Sequence, residues 1–218
     1  MIFIITENFC DTIYLTENLK IYKVGVLMSL REYEASFLEY VNKMLNIQEA
    51  ISVLYWDLRT GAPKNAVKQR SNVISQLSSD VFKMSTSKEM EHYLITLEEA
   101  ISAGKCTFEI EKTVNYLRKQ YDRNTKIPAD EYESFIKCQT ISESVWAEAK
   151  EENNFAKFEP FLTEIIEYKR KFVEYLGYDD CKYDTYLIQY EPGMSVAKLD
   201  EVFSEVRNKL VPIVKAVS

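Results

Sequence analysis

The chain has 218 residues, 46% of them hydrophobic and 28% charged, with a formal net charge of −7 at neutral pH. That composition excludes a disordered chain and, with no basic stripe interleaved with aromatics, argues against a nucleic-acid surface. Five glycines and five prolines are too few for the many tight turns of an all-β fold, so an all-α fold is expected.

The first residues, Met1–Leu27, have a β-branched, alternating character unlike anything after Met28. Met1–Ile5 is apolar, but it lacks a basic flank and Glu7 and Asp11 interrupt the pattern, so it does not read as a secretory signal. No apolar run approaches the roughly 20 residues of a membrane span. A cytoplasmic location is expected, with residues 1–27 as an atypical extension and 28–218 as the helical body.

From Ser29 the chain reads as seven helices. Ser29 with Glu32 forms a capping-box pattern, and Leu30, Tyr33, Phe37, Val41, Met44, Ile51, Leu54 and Leu58 follow at helical spacing. This predicts one helix about 40 Å long at about 1.5 Å per residue, ended by Gly61 and Pro63. A second helix runs from about Pro63 to Met84, with Val67, Ile74, Leu77 and Val81 inward and Pro63 in its first turn. Thr86 with Glu89 predicts the cap of a third, carrying Met90, Tyr93, Leu94, Leu97 and Ile101 and stopped at Gly104. Thr107 caps a fourth helix bearing Ile110, Val114, Leu117 and Tyr121. Pro128 interrupts, and Asp130 opens a fifth with Tyr132, Ile136, Val145 and Trp146 that breaks at Asn153–Asn154. Pro160 starts a sixth with Leu162, Ile165, Ile166, Phe172 and Leu176. A tyrosine-rich connection leads through Pro192–Gly193 to a seventh, capped by Ser195 and bearing Leu199, Val202, Phe203, Val206 and Leu210. Every glycine after Met28 falls at one of these breaks.

Chemistry-bearing residues are sparse. Cys10, Cys106, Cys138 and Cys181 are scattered without a C-x-x-C pair and read as free thiols in a reducing compartment. The sole histidine, His92, is followed by Tyr-Leu-Ile; a catalytic zinc needs about three protein ligands, and His92 with Glu91 cannot supply them. Glu98–Glu99, Glu148, Glu151–Glu152, Asp179–Asp180, Asp184 and Glu191 read as solvated helix faces rather than as an acid–base pair. Phosphate loops and a G-x-S-x-G elbow are absent. Tyr175, Tyr178, Tyr183, Tyr186 and Tyr190 cluster around one connection, and their hydroxyls are expected to anchor it.

Five stretches together resemble the amino-terminal half of the carboxypeptidase Taq family of metallocarboxypeptidases. They are LYWDLRTGAPKNAVKQR at Leu54–Arg70, YDRNTKIPAD at Tyr121–Asp130 and WAEAKEENNFAKFEPFL at Trp146–Leu162, followed by GYDDCKYDTYLIQYEPGM at Gly177–Met194 and KLDEVFSEVRNKLVPIV at Lys198–Val214. The resemblance implies an all-α, multi-helix cleft-wall assembly of long antiparallel helices, incomplete without a catalytic half. It implies a peptidase that removes C-terminal residues from peptides with one divalent metal, zinc above all, and that forms homodimers, with no nucleic-acid or membrane partner. The family's H-E-x-x-H helix has no counterpart here, so no catalytic, cofactor-binding or metal residue is carried over, and the chain is expected to be truncated and inactive alone. Two departures stand out: Ile188 occupies a position where the resemblance leads one to expect an acid before Tyr-Glu-Pro-Gly, and Met1–Leu27 has no family counterpart. A non-catalytic helical scaffold is the alternative reading.

Overall fold

The computed structural model describes residues 20–23 and 26–217. Outside one hairpin it is α-helical, as the scarcity of turn residues implies. Strand β1 (Lys20–Lys23) pairs antiparallel with β2 (Val26–Ser29), Lys20 opposite Ser29 and Lys23 opposite Val26. Two strands alone are marginal in water, and both contact the first helix. The alternating pattern before Met28 therefore corresponds to strands in part, and β2 runs across the expected boundary at residue 28. The remainder of the expectation for Met1–Leu27 lies outside the described residues.

The chain divides into two compact units, Met1–Thr125 and Lys126–Ser218. In the first, α1 (Leu30–Thr60) begins with the expected capping box. Ser29 Oγ accepts the Glu32 N–H at 3.3 Å while the Glu32 carboxylate accepts the Ser29 N–H at 2.7 Å. Two helix starts differ from expectation. A 3₁₀ turn, Lys64–Ala66, lies between Pro63 and α2 (Val67–Ser85), so Pro63 caps the turn instead of entering the helix. Helix α3 (Lys88–Ser102) is capped by Ser87 and not by Thr86, because Ser87 has the extended backbone a cap requires (φ −72°, ψ 157°). Its hydroxyl accepts the Met90 N–H at 3.0 Å, while Thr86 closes α2 by donating to the Phe82 carbonyl at 2.9 Å. Gly104, at φ +68°, ends α3 in a left-handed turn: its N–H reaches the Ile101 carbonyl and that of Lys105 the Ala100 carbonyl. Thr107 caps α4 (Phe108–Asn124) as predicted.

The core of this unit is built from Tyr33, Phe37 and Met44 of α1, Met90, Tyr93, Leu94 and Leu97 of α3, and Ile110 and Val114 of α4. These are the residues whose 3–4 spacing marked the inner faces. The buried Tyr33 hydroxyl donates to Thr96 Oγ1 at 3.3 Å and the His92 carbonyl at 3.2 Å, which removes the penalty of burying a phenol. Helix α2 packs chiefly against α1 and buries Ser71, Ser75 and Ser79 beside Ile74 and Phe82.

The second unit opens with α5 (Ala129–Glu151) and α6 (Phe155–Leu176), which pack along each other. Helix α6 starts at Phe155, not at Pro160. Asn153, at φ +49°, supplies the left-handed residue that ends α5, with the Asn154 N–H on the Ala149 carbonyl, and the chain turns directly into α6. Pro160 is accommodated in the second turn, where only the Ala156 carbonyl loses its N–H partner. A short α7 (Asp184–Tyr190) forms inside the tyrosine-rich connection, and α8 (Val196–Val217) follows, its Lys198 N–H on Ser195 Oγ at 3.2 Å. Phe135, Cys138 and Ala149 of α5 and Phe172 and Val173 of α6 are buried.

Leu94→Ala, at a fully buried position, is expected to cost about 2–5 kcal/mol through lost transfer energy and a cavity. Ser29→Ala should cost only about 1 kcal/mol, the worth of a helix cap. Urea unfolding midpoints of the two variants measure the difference; equal losses would show that Leu94 is not a core residue in solution.

Candidate functional site

His92 lies on α3, half-buried, with its ring 6.3 Å from that of Tyr33 in an edge arrangement. Its Nε2 is buried and has no hydrogen-bond partner among the described residues. Nor do the described residues contain any group of three or more His, Cys, Asp or Glu side chains able to hold a metal ion. A metal of the kind the resemblance implies therefore finds no ligand set here, and no reaction step through a metal follows from these residues.

The carboxylates singled out by sequence are dispersed, and several serve the fold. Glu98 receives Arg118 in a two-pronged ion pair at 2.7 and 2.8 Å, and the Arg118 guanidinium also lies 5.6 Å from the Tyr121 ring centre. Lys157 bridges Glu148 and Glu152 at 2.7 and 3.0 Å. Asp184 accepts the Val196 N–H at 2.7 Å and so ties α7 to the start of α8. Glu99, Glu151, Asp179, Asp180 and Glu191 are exposed.

Three of the four thiols fall among the described residues, and all three are free. Burial first, then the Glu34 carboxylate beside it, pushes the Cys106 thiol up to about 11. Burial and the Glu164 carboxylate push Cys138 up to about 12. Both are thus held as neutral thiols, the opposite of what a nucleophile needs.

Among the described residues, chemically versatile side chains converge in a groove of about 1380 Å³ on the second unit, formed by α6 with the following connection and α7. Tyr168, Tyr183, Tyr186 and Tyr190 line it together with Lys169, Arg170, Lys171 and Lys182. Of the five tyrosines read as anchors, two fulfil that role through their hydroxyls. Tyr175 donates to Glu131 at 2.9 Å, and Tyr186 donates to the Lys169 carbonyl. The Tyr178 ring instead carries the Lys182 ammonium at 4.9 Å, while Tyr183 and Tyr190 are exposed. Lys171 pairs with Glu131 at 3.1 Å and Lys182 with Glu174. Lys169 differs from both. Its ammonium lies 4.9 Å from the Phe135 ring centre and 4.7 Å from that of Tyr186, with no carboxylate partner among the described residues. Burial alone pushes it below the ordinary lysine range. The sequence carries a signal for this residue: Lys169 interrupts the apolar row Leu162, Ile165, Ile166, Phe172, Val173 and Leu176 at a position where an apolar residue would continue it.

The profile of the carboxypeptidase Taq (M32) metallopeptidase family matches residues 36–218. The chain belongs to that family. It is 35% identical over 191 residues to Carboxypeptidase 1 of Bacillus subtilis (strain 168), an alignment covering 88% of this chain and 38% of that protein. It is 29% identical over 174 residues to Thermostable carboxypeptidase 1 of Pyrococcus furiosus, covering 77% of this chain and 33% of the relative. The solved structure described as BsuCP superposes with a TM-score of 0.82 at 35% identity, covering 85% of this chain and 37% of that one. The chain thus spans little more than a third of the length of the curated relatives it matches.

The raised thiols set a pH dependence. A thiol held protonated contributes stability that is complete below its unfolded value near 9 and is lost as pH rises toward about 12 for Cys138. The urea midpoint should therefore fall between pH 9 and 12, and more steeply in the native chain than in Cys138→Ala; parallel curves for the two would show that the thiol is not held neutral.

Proposed function

We propose that this chain is the N-terminal helical part of a metal-dependent carboxypeptidase that releases C-terminal amino acids from peptides, and that it is inactive alone. The observation that carries this reading is a family match over residues 36–218 in a sequence whose single histidine cannot build an H-E-x-x-H site. On this reading the metal, zinc by preference, and the general base belong to a catalytic portion outside these residues, and the helices here wall the substrate cleft. Cytoplasmic location and a homodimer of the complete enzyme belong to the same proposal. No described helix is long and apolar enough to cross a membrane.

Helix α8 supports the idea of a missing counterpart. Phe203, Val206, Leu210, Ile213 and Val217 follow one another at spacings of three and four residues, and all are exposed. An apolar row of this kind normally faces another helix or a core. We propose that it packs against the catalytic portion, and that residues 28–218 fold as the helical body with 1–27 as an added segment.

The purified chain, supplied with zinc and a blocked peptide, should release no C-terminal amino acid and should retain far less than one zinc per molecule by elemental analysis. Stoichiometric tight zinc with chelator-sensitive turnover would overturn the proposal. The exposed row of α8 should register as binding of a hydrophobic dye and as self-association; a monodisperse monomer that binds no dye would remove the argument for an absent counterpart.

A further inference from the structure

Of the four cations lining the groove on α6 and α7, two are already matched to carboxylates, Lys171 to Glu131 and Lys182 to Glu174. A third, Arg170, is exposed. Lys169 is in neither condition. It is half-buried, and its charge is balanced by aromatic faces on two sides. Aromatic rings attract an ammonium through their negative faces, but an ammonium still has three N–H donors that seek oxygen acceptors. The ammonium is not sealed off: it opens on the groove, where an oxygen acceptor can reach it. An apolar side chain at this position would continue the apolar row of α6.

The geometry around this ammonium is also rigid. Phe135 is buried in the α5–α6 core, and Tyr186 is tied by its own hydroxyl to the backbone carbonyl of Lys169. Both ring faces that hold the charge are therefore fixed before anything binds, so a ligand would pay little to organise them. The rest of the lining combines Tyr168, Tyr183, Tyr190, Ile166 and Val173 with the carboxylates of Glu164, Glu167 and Glu174, of which Glu174 is paired with Lys182. An apolar wall with a few convergent polar groups is the usual make-up of a small-molecule site.

We propose that the α6–α7 groove is a binding site for a small organic carboxylate carried on an aromatic or apolar body, with Lys169 as its anchor. The carboxylate oxygen completes the hydrogen bonding of the ammonium, and the body lies against the tyrosine rings. No metal takes part, so the site stands or falls independently of the peptidase reading.

The test compares N-acetylphenylalanine with its neutral amide, each titrated into the 218-residue chain by calorimetry at low and moderate salt. The acid should bind at least about tenfold more tightly than the amide, and the difference should shrink as salt rises. Lys169→Met should abolish the preference for the acid with its far-UV circular dichroism unchanged, Lys169→Arg should keep it, and Lys68→Ala, at an exposed position of the first unit, should have no effect. Equal affinity for acid and amide, no binding of either, or an undiminished preference in Lys169→Met would each overturn the proposal. Should Lys169→Met fail to fold, the acid-against-amide contrast on the native chain and on Lys169→Arg decides it.

Discussion

In the second unit, the Phe135 ring is the fixed point. It meets Phe172 edge-on with ring centres 5.3 Å apart and Tyr168 at 5.9 Å, and this three-ring cluster sets the rotation of α6 against α5. Because a helix turns 100° per residue, fixing the direction of Phe172 and Tyr168 also fixes that of Lys169 between them. The lysine is thereby brought over the Phe135 face, where it meets Tyr186 from α7. The tyrosine hydroxyl in turn binds the lysine carbonyl, so α7, which buries no residue of its own, is held by contacts that originate in the α5–α6 core.

What the sequence made legible was whatever depends on local chemistry. The Ser29 and Thr107 caps, the left-handed stop at Gly104 and the break at Asn153–Asn154 each need only a few neighbouring residues, and all are where the pattern places them. The inner faces of α1, α3 and α4 were equally readable, because apolar spacing and burial have the same cause. Errors arose where two local signals competed. Thr86 and Ser87 are adjacent hydroxyls, and only the backbone decides which becomes the cap. Pro160 reads as a helix start because proline suits a first turn, yet the turn at Asn153 lets the helix begin earlier and absorb it. Helix α7 was missed because its seven residues carry no amphipathic period; it exists through tertiary contacts.

The groove illustrates the same limit. A cluster of tyrosines is visible in the sequence, but which hydroxyls find partners depends on the fold, as those of Tyr175 and Tyr186 show. Lys169 was overlooked because a single lysine in an apolar row looks like noise until its two flanking rings are seen. Family membership, by contrast, was readable from five separated stretches, since the order and spacing of many residues carry far more information than any one site. Membership fixes the lineage of the fold, because that information is spread over residues 36–218 and not held by any one side chain.

Helix α2 presents serines at 71, 75 and 79 where its neighbours in the first unit present large apolar side chains. Side chains this small let neighbouring backbones approach closely. The tolerance of such a seam is lopsided. Trimming a serine to alanine removes only the hydroxyl, which for Ser79 has no hydrogen-bond partner among the described residues. Enlarging it to leucine would drive the helices apart along their length. Drift along this face of α2 is therefore channelled toward glycine, alanine and serine, and natural variation there should look conservative although no chemistry is at stake.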